Sequence, residues 1–296
     1  MKQLVGRLLL LALLAVASVA EANGVVIVAD GRVPQYREAL TAAKEVLRSA
    51  PTIDPAAADA ADQLKRADAS VILVVGQKAL QMAKAAAPST PIVFCMVLGA
   101  GAAPSRTVTG VKLEVAASAQ LQQMKQVHPG AKRLGVIYDP HNSAAFVEDA
   151  VKSAGAHGFT VVARPVNDPR DVRGALADIA GSIDALWLVP DSRLLTAEMF
   201  NFLLTFTLER KIALFGFLDS FTAAGALASI APDYQEIGKR AGKLAAEIAD
   251  RPADARLPTP SPQSSPGALS VNLKTATQLH IDVPSGVLAK ARQVYR

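Results

Sequence analysis

Three acids stand at the ends of three apolar runs in the second half of this chain: Asp139, Asp191 and Asp219. Small polar residues follow each of them, Asn142 and Ser143 after the first, Ser192 after the second and Ser220 after the third. The first half repeats the arrangement more loosely, with Asp30 and Arg32, Gly76-Gln77, and the loop 98–102. For any single position, the plain reading is that Asp or Ser caps the helix that follows. Taken together they imply more, because successive parallel strands would deliver their acids to one edge of a sheet. Carboxylates so placed can grip an ammonium, and helix N-termini such as the one after Gly76 can hold an anion. Tyr36, Tyr138, Phe217, Phe221 and Tyr234 lie close to these loops and could stack on a ligand, although Phe217 reads equally well as core.

Enzyme signatures are missing from the sequence. The stretch 99–104, GAGAAP, follows an apolar run, but Pro104 replaces the third glycine of a dinucleotide fingerprint and no helix pattern succeeds it. There is no phosphate-cradling G-x-x-x-x-G-K-[ST] motif and no G-x-S-x-G nucleophile elbow. His128, His141, His157 and His280 are dispersed without metal-ligand spacing, so neither a metal nor a cofactor is expected. Cys95, the single cysteine, sits inside the apolar run Ile92–Val97 and reads as a small buried hydrophobe.

The elements that must position these residues are legible from period and punctuation. Strands are expected at 24–29, 70–75, 91–97, 133–138, 159–163, 183–189, 212–217, about 226–230 and 271–273, with a weak edge strand near Thr52. Helices are expected at 34–48, 56–66, 78–87, 114–127, 143–156, 169–180, 193–209 and 234–249, with one or two more over 275–295. Residues 107–111 read as a crossing segment and 251–268 as a proline-rich connector. Short apolar runs alternating with helices indicate βαβ units and parallel sheets. The fold class is therefore α/β.

Composition agrees. Of 296 residues, 51% are hydrophobic and 19% charged, which suffices for a core and argues against disorder. The net charge of +5 is scattered, without the basic blocks and interleaved aromatics of a nucleic-acid surface. At the N-terminus, Lys2 and Arg7 precede an apolar run over Leu8–Ala17, followed by small residues around Ala20 and Ala22. That layout predicts a secretory signal peptide over 1–22, since the run is about ten residues against the roughly twenty needed to span a bilayer.

Five stretches carry a family resemblance: PIVFCMV, TVTGV, HPGAKRLGVIYDPHNS, DSFTAAGALASIAPDYQEIGKRAG and NLKTATQLHIDVPSGVLAKARQVYR. In this order, from Ser70 to the C-terminus, they resemble the periplasmic substrate-binding proteins of a group of bacterial ABC transporters. The resemblance implies a type I periplasmic binding protein fold, two Rossmann-like lobes with parallel sheets joined by a hinge. One lobe would hold residues 23–110 with about 233–262, the other 111–232 with about 268–296. Hinge segments would fall near 107–112, 230–234 and 262–270. Ligand-facing positions would be Gly76, Gln77, Tyr138, Asn142, Ser143, Asp191, Asp219 and Ser220. Studied members bind aromatic amino acids. This chain departs from the family pattern at Gln77, where a small hydroxyl residue is usual, and at Val97-Leu98-Gly99, where an Asp-Pro is usual.

The expected function is capture of a small polar ligand, an amino acid or similar zwitterion, by a monomer in the periplasm for delivery to an ABC permease. No nucleic-acid partner and no catalysis are expected. A periplasmic sensor subunit with the same fold would need the same cleft, and an exported α/β enzyme would need the three acids to act as acid and base.

Overall fold

The computed structural model describes residues 24–97, 105–191 and 193–296. The leader expected over 1–22, the loop containing Leu98 and Gly99, and Ser192 lie outside the described residues.

The chain opens with β1 (Val25–Ala29), α1 (Pro34–Val46), β2 (Thr52–Ile53), α2 (Ala60–Arg66), β3 (Val71–Val75), α3 (Gln77–Ala86), β4 (Ile92–Cys95) and β5 (Val108–Gly110). These strands form one parallel sheet in the order β2-β1-β3-β4-β5. Every residue of β1 and β3 is buried, as a parallel strand covered on both faces requires. Pro34 occupies the first turn of α1, where its missing N–H costs nothing.

The chain then crosses to α4 (Ala117–Val127), β6 (Arg133–Tyr138), α5 (Pro140–Ala154), β7 (Thr160–Pro165), α6 (Val172–Ile179), β8 (Ala185–Trp187), α7 (Ala197–Glu209), β9 (Ala213–Gly216), α8 (Asp219–Ala224) and β10 (Ala228–Pro232). It returns to the first sheet for α9 (Tyr234–Ala249), which packs on α1. It crosses a third time into β11 (Gly267–Asn272), α10 (Leu273–Gln278), α11 (Ser285–Leu288) and β12 (Gln293–Tyr295). The second sheet runs β12-β11-β10-β9-β8-β6-β7. Each sheet has a core on either face: the clusters around Leu73 and Phe94 belong to the first, those around Trp187 and Leu214 to the second.

Residues 108–110, expected as a crossing segment, form β5 of the first sheet. Helix α5 starts at Pro140 and not at 143, and α8 is unforeseen by the sequence pattern. Three further details differ from the sequence reading. β11 is antiparallel to β10, because the chain re-enters the second sheet at the end where β10 leaves it. The expected short strand at 271–273 is in fact longer and earlier, and Leu273 already begins a helix. The final segment, expected to be helical, ends in β12, whose three residues pair with β11. A strand that short carries too little alternation to be read.

The three crossings lie side by side. The Lys112 N–H donates to the Gln263 carbonyl at 3.0 Å and the Gln263 N–H to the Gly110 carbonyl at 2.8 Å. The Asp233 N–H donates to the Pro266 carbonyl at 3.2 Å.

Candidate functional site

A cavity of about 430 Å³ opens where the crossings meet the carboxyl ends of β6, β8, β9 and β10. Leu113, Glu114 and Val115 come from the first crossing, and Asn142, Ser143 and Phe146 from α5. Pro190 follows β8, Phe217 and Leu218 follow β9, Ile230 and Pro232 end β10, and Tyr234 begins α9. Gln120 of α4 completes the wall. The lining is mainly apolar with a few polar groups, the usual constitution of a small-molecule site. Ligands of open α/β sheets lie outside the carboxyl ends of strands, where this cavity is found.

Its floor is fixed by one chain of contacts. The Gln120 side-chain amide donates to the Val115 carbonyl at 2.9 Å, and its oxygen accepts from the Trp187 indole N–H at 3.1 Å. Trp187 is fully buried and meets the edge of Phe146 at 5.5 Å between ring centroids. A single glutamine thus ties the first crossing to the core of the second lobe. The sequence offered no signal for Gln120 beyond its place in an amphipathic helix.

Of the sequence-nominated positions, Asn142 and Ser143 stand in the cavity wall, together with the aromatics Phe217 and Tyr234, whereas Tyr36 and Phe221 do not. Asp191, the neighbour of Asn142 and Ser143, is buried beneath them and engaged on all sides. It accepts from the Asp139 N–H at 3.0 Å, the Ser143 hydroxyl at 3.1 Å and the Asn142 amide at 3.2 Å. It also accepts from the N–H groups of Arg193 and Leu194 at 3.1 and 3.3 Å. Its carboxylate fastens the loop after β8 to the start of α5, and so positions the wall from below. Asp139 has no exposed surface; it caps α5 and pairs with Arg193. The His141 backbone N–H, then the His141 ring and Arg193, hold its carboxyl below the usual carboxylate range.

Tyr138 packs at the margin of the core at the end of β6, outside the cavity wall. Gly76 and Gln77 lie on the first lobe, also outside the wall. Gly76 has φ +93°, and a Cβ there would stand 2.5 Å from the ring of Tyr36, so only glycine fits. Gln77 is exposed at the start of α3. Asp30 is held by a two-toothed ion pair with Arg32 at 2.7 and 2.9 Å, which lowers its carboxyl.

Asp219 and Ser220 begin α8, next to Leu218 of the wall. Ser220 is exposed. Asp219 pairs through Oδ2 with Arg292, which lies 73 positions away and which no local pattern could have nominated. A buried hydroxyl network seats α8 on its sheet: Thr222 donates to Ser229 at 2.7 Å, Ser270 donates to Thr222 at 2.9 Å, and the Asn272 amide donates to the Thr222 carbonyl at 2.9 Å. Among the described residues no group of three or more His, Cys, Asp or Glu side chains could hold a metal ion, and no helix is long and apolar enough to cross a membrane.

Comparison with known proteins places this architecture. Over 147 residues, 49% of the chain, it is 29% identical to a tyrosine-binding protein of Clostridioides difficile (strain R20291), and the match spans 42% of that protein. The fold is similar to the ligand-free, open structure of a substrate-binding protein with adhesive properties from Clostridium difficile. That likeness covers 92% of this chain and 98% of the other, at 20% identity and a TM-score of 0.70. It is also similar to a domain from Streptococcus pneumonia solved in complex with L-Trp, over 91% of this chain and 98% of that one, at 20% identity and a TM-score of 0.54. The two-lobed fold is therefore of the type I periplasmic binding protein kind. Residues 43–295 match the family model described as ABC transporter substrate binding protein. The chain belongs to the ABC transporter substrate-binding protein family.

Proposed function

We propose that this protein captures an amino acid with an apolar or aromatic side chain in the cavity between its lobes and presents it to an ABC permease. The observation that carries this reading is the cavity itself. Its volume lies within the range of about 300–1,000 Å³ common for small-molecule sites, and its wall combines Phe146, Phe217, Tyr234, Leu113 and Ile230 with Asn142, Ser143 and Gln120. The wall draws on both the second lobe and the crossing segments, so lobe movement about those segments would change it. The lobes are taken as 23–110 with about 233–262, and 111–232 with about 268–296. The tyrosine-binding relative and the L-Trp complex support an aromatic ligand. The protein acts as a monomer in the periplasm after removal of residues 1–22.

A thermal-shift screen of residues 23–296 against amino acids, sugars, nucleobases and small acids tests the reading. A ligand at a hundred times its Kd adds about 2.7 kcal/mol, and for a chain of this size that is a rise of roughly 5–10 °C in Tm. L-Tyr, L-Trp or L-Phe should give that rise. A rise with sugars or nucleobases alone would overturn the ligand class. Stimulation of the cognate permease's ATP hydrolysis by loaded protein only would support delivery, and its absence would count against it.

A further inference from the structure

We infer that Gln120 and Gln123 of α4 are positioning residues of the ligand site: they pin two of the three crossings to the second lobe and so confine its turning to short pivots that belong partly to the cavity wall. These pivots would govern the proposed capture, and their role rests on that reading.

At their first-lobe ends the crossings are fastened to β4 and to one another. The Val111 N–H donates to the Phe94 carbonyl at 2.8 Å. A Cβ on Gly110 would stand 2.1 Å from that same oxygen, so the chain lies directly on β4 with no room to lift a side chain between them. The Lys112 N–H donates to Gln263, and the Gln263 N–H to Gly110, at 3.0 and 2.8 Å. The first crossing is thus fixed as far as Lys112, and the third as far as Gln263.

At the second-lobe ends α4 does the fastening. Gln120, at 2% exposure, donates to the Val115 carbonyl at 2.9 Å while its oxygen holds the Trp187 indole N–H at 3.1 Å. Gln123, one turn further along, donates to the Gly267 carbonyl at 3.1 Å. The crossings also touch here: a Cβ on Gly267 would meet Ile230 at 2.6 Å and Val115 at 3.0 Å. Between the pinned points lie Leu113 and Glu114 in the first crossing and residues 264–266 in the third. In the second crossing Pro232 is paired with Gly267 across the sheet and Asp233 already caps α9, so only the link between them is left. A hinge is a few such residues absorbing the backbone change. The first pivot therefore lies beyond the 107–112 stretch that the family resemblance implies. Leu113, Glu114 and Pro232 all line the cavity, so a ligand there touches the pivots themselves. Contacts that differ between lobe positions are what allow a ligand to shift them.

The test uses residues 23–296 with spin labels at Lys84→Cys in α3 and Lys152→Cys in α5, exposed positions on the two lobes. The native Cys95 is fully buried and stays unlabelled. Pulsed electron resonance then reads the distance between the lobes. The wild type should give a narrow distribution that L-phenylalanine shifts. Gln123→Met keeps side-chain length and helix preference and removes only the pin on Gly267. It should broaden the ligand-free distribution and weaken L-phenylalanine about two- to tenfold by calorimetry, the worth of one neutral hydrogen bond. Gln123 lies outside the cavity wall, so that loss is not a lost ligand contact. Gln120→Met should broaden the distribution likewise. It should also move the emission of Trp187, the single tryptophan, to shorter wavelength as the indole N–H loses its acceptor. Gln123→Met should leave that emission unmoved. A lower Tm with unbroadened distances would show that the glutamines merely brace α4, and overturns the pins. If one variant does not fold, the other decides, because each frees a different crossing. A wild-type distance left unmoved by bound L-phenylalanine overturns the pivots. Failure of L-phenylalanine to bind removes the proposed ligand instead, and the ligand-free distributions still decide the pins.

Discussion

Leu218 is one of two large hydrophobic side chains that stand exposed among the described residues, at 38%, and it forms part of the cavity wall. An apolar residue left in solvent contributes little to folding, but covering it with a ligand recovers its transfer energy. Full burial of a leucine side chain is worth about 1.5–3 kcal/mol. With only 38% of the residue exposed, the recoverable share is about 0.6–1.1 kcal/mol, or roughly three- to sevenfold in Kd. Leu218→Ser should therefore weaken binding of an aromatic amino acid by about that factor while leaving the unliganded Tm nearly unchanged. Titration calorimetry and thermal melting separate the two quantities. A fall in Tm with unchanged Kd would show that Leu218 belongs to the core and not to the site. Asp191 makes the opposite case at the same scale. Its five accepted hydrogen bonds are all internal, so it shapes the wall through Asn142 and Ser143.

The contact between α1 and α9 shows how one element is committed to a lobe far from it in sequence. Gly238 and Gly242 face α1 one turn apart. A Cβ at Gly238 would stand 2.0 Å from the Ala39 carbonyl oxygen, which is backbone and cannot step aside. At Gly242 the nearest atom, the Ala43 oxygen, is 3.1 Å away. Alanine gains about 1 kcal/mol over glycine in a helix, and overpacking costs typically about 1–3 kcal/mol or more. The clash wins at Gly238, where Ala should cost about 2–3 kcal/mol, and is roughly cancelled at Gly242. Urea unfolding of the two variants should therefore differ strongly, and equal midpoints would mean that the helices are not in this close contact. Such facts set the limit of what the sequence makes legible. Strand runs such as VVIVA and VILVV, and the helix start at Pro34, follow from local period and punctuation, whereas the helix expected from 143 in fact begins at Pro140 under an Asp139 cap. The direction of β11, the short α8 and the pairing of Asp219 with Arg292 depend on where distant segments meet. In the candidate site, Asn142 and Ser143 could be named from strand-end position. Leu113, Gln120 and Ile230 could not, because an apolar or amide side chain at a crossing looks like any other core residue until the crossing is built.

At the scale of the whole molecule, two lobes with separate cores are joined by three narrow crossings, and their acids are unevenly shared. Asp139, Asp168 and Asp184, all in the second lobe, have carboxyls held below the usual range, whereas Asp30 is the one such acid described in the first. Asp184 is lowered to about 2, first by the Arg133 side chain at 2.8 Å and then by the N–H groups of Lys132 and Arg133, which tie the start of β6 to β8. A carboxyl with a depressed folded pKa stabilises the fold fully above its unfolded value of about 4, and that contribution is lost as pH falls through the folded value. Acid should therefore weaken the second lobe before the first. Scanning calorimetry of residues 23–296 should show melting that resolves into two components as pH falls from about 4 toward 2. Asp184→Asn should lower the acid-sensitive component at neutral pH and flatten its pH dependence, and Gly238→Ala should lower only the other. On the proposed function, an amino acid in the cavity should raise the acid-sensitive component more than the other, because every wall residue except Tyr234 comes from the crossings and the second lobe. A single transition that both variants shift as one would show that the crossings couple the lobes into one cooperative unit, and the ligand would then have no second component to move.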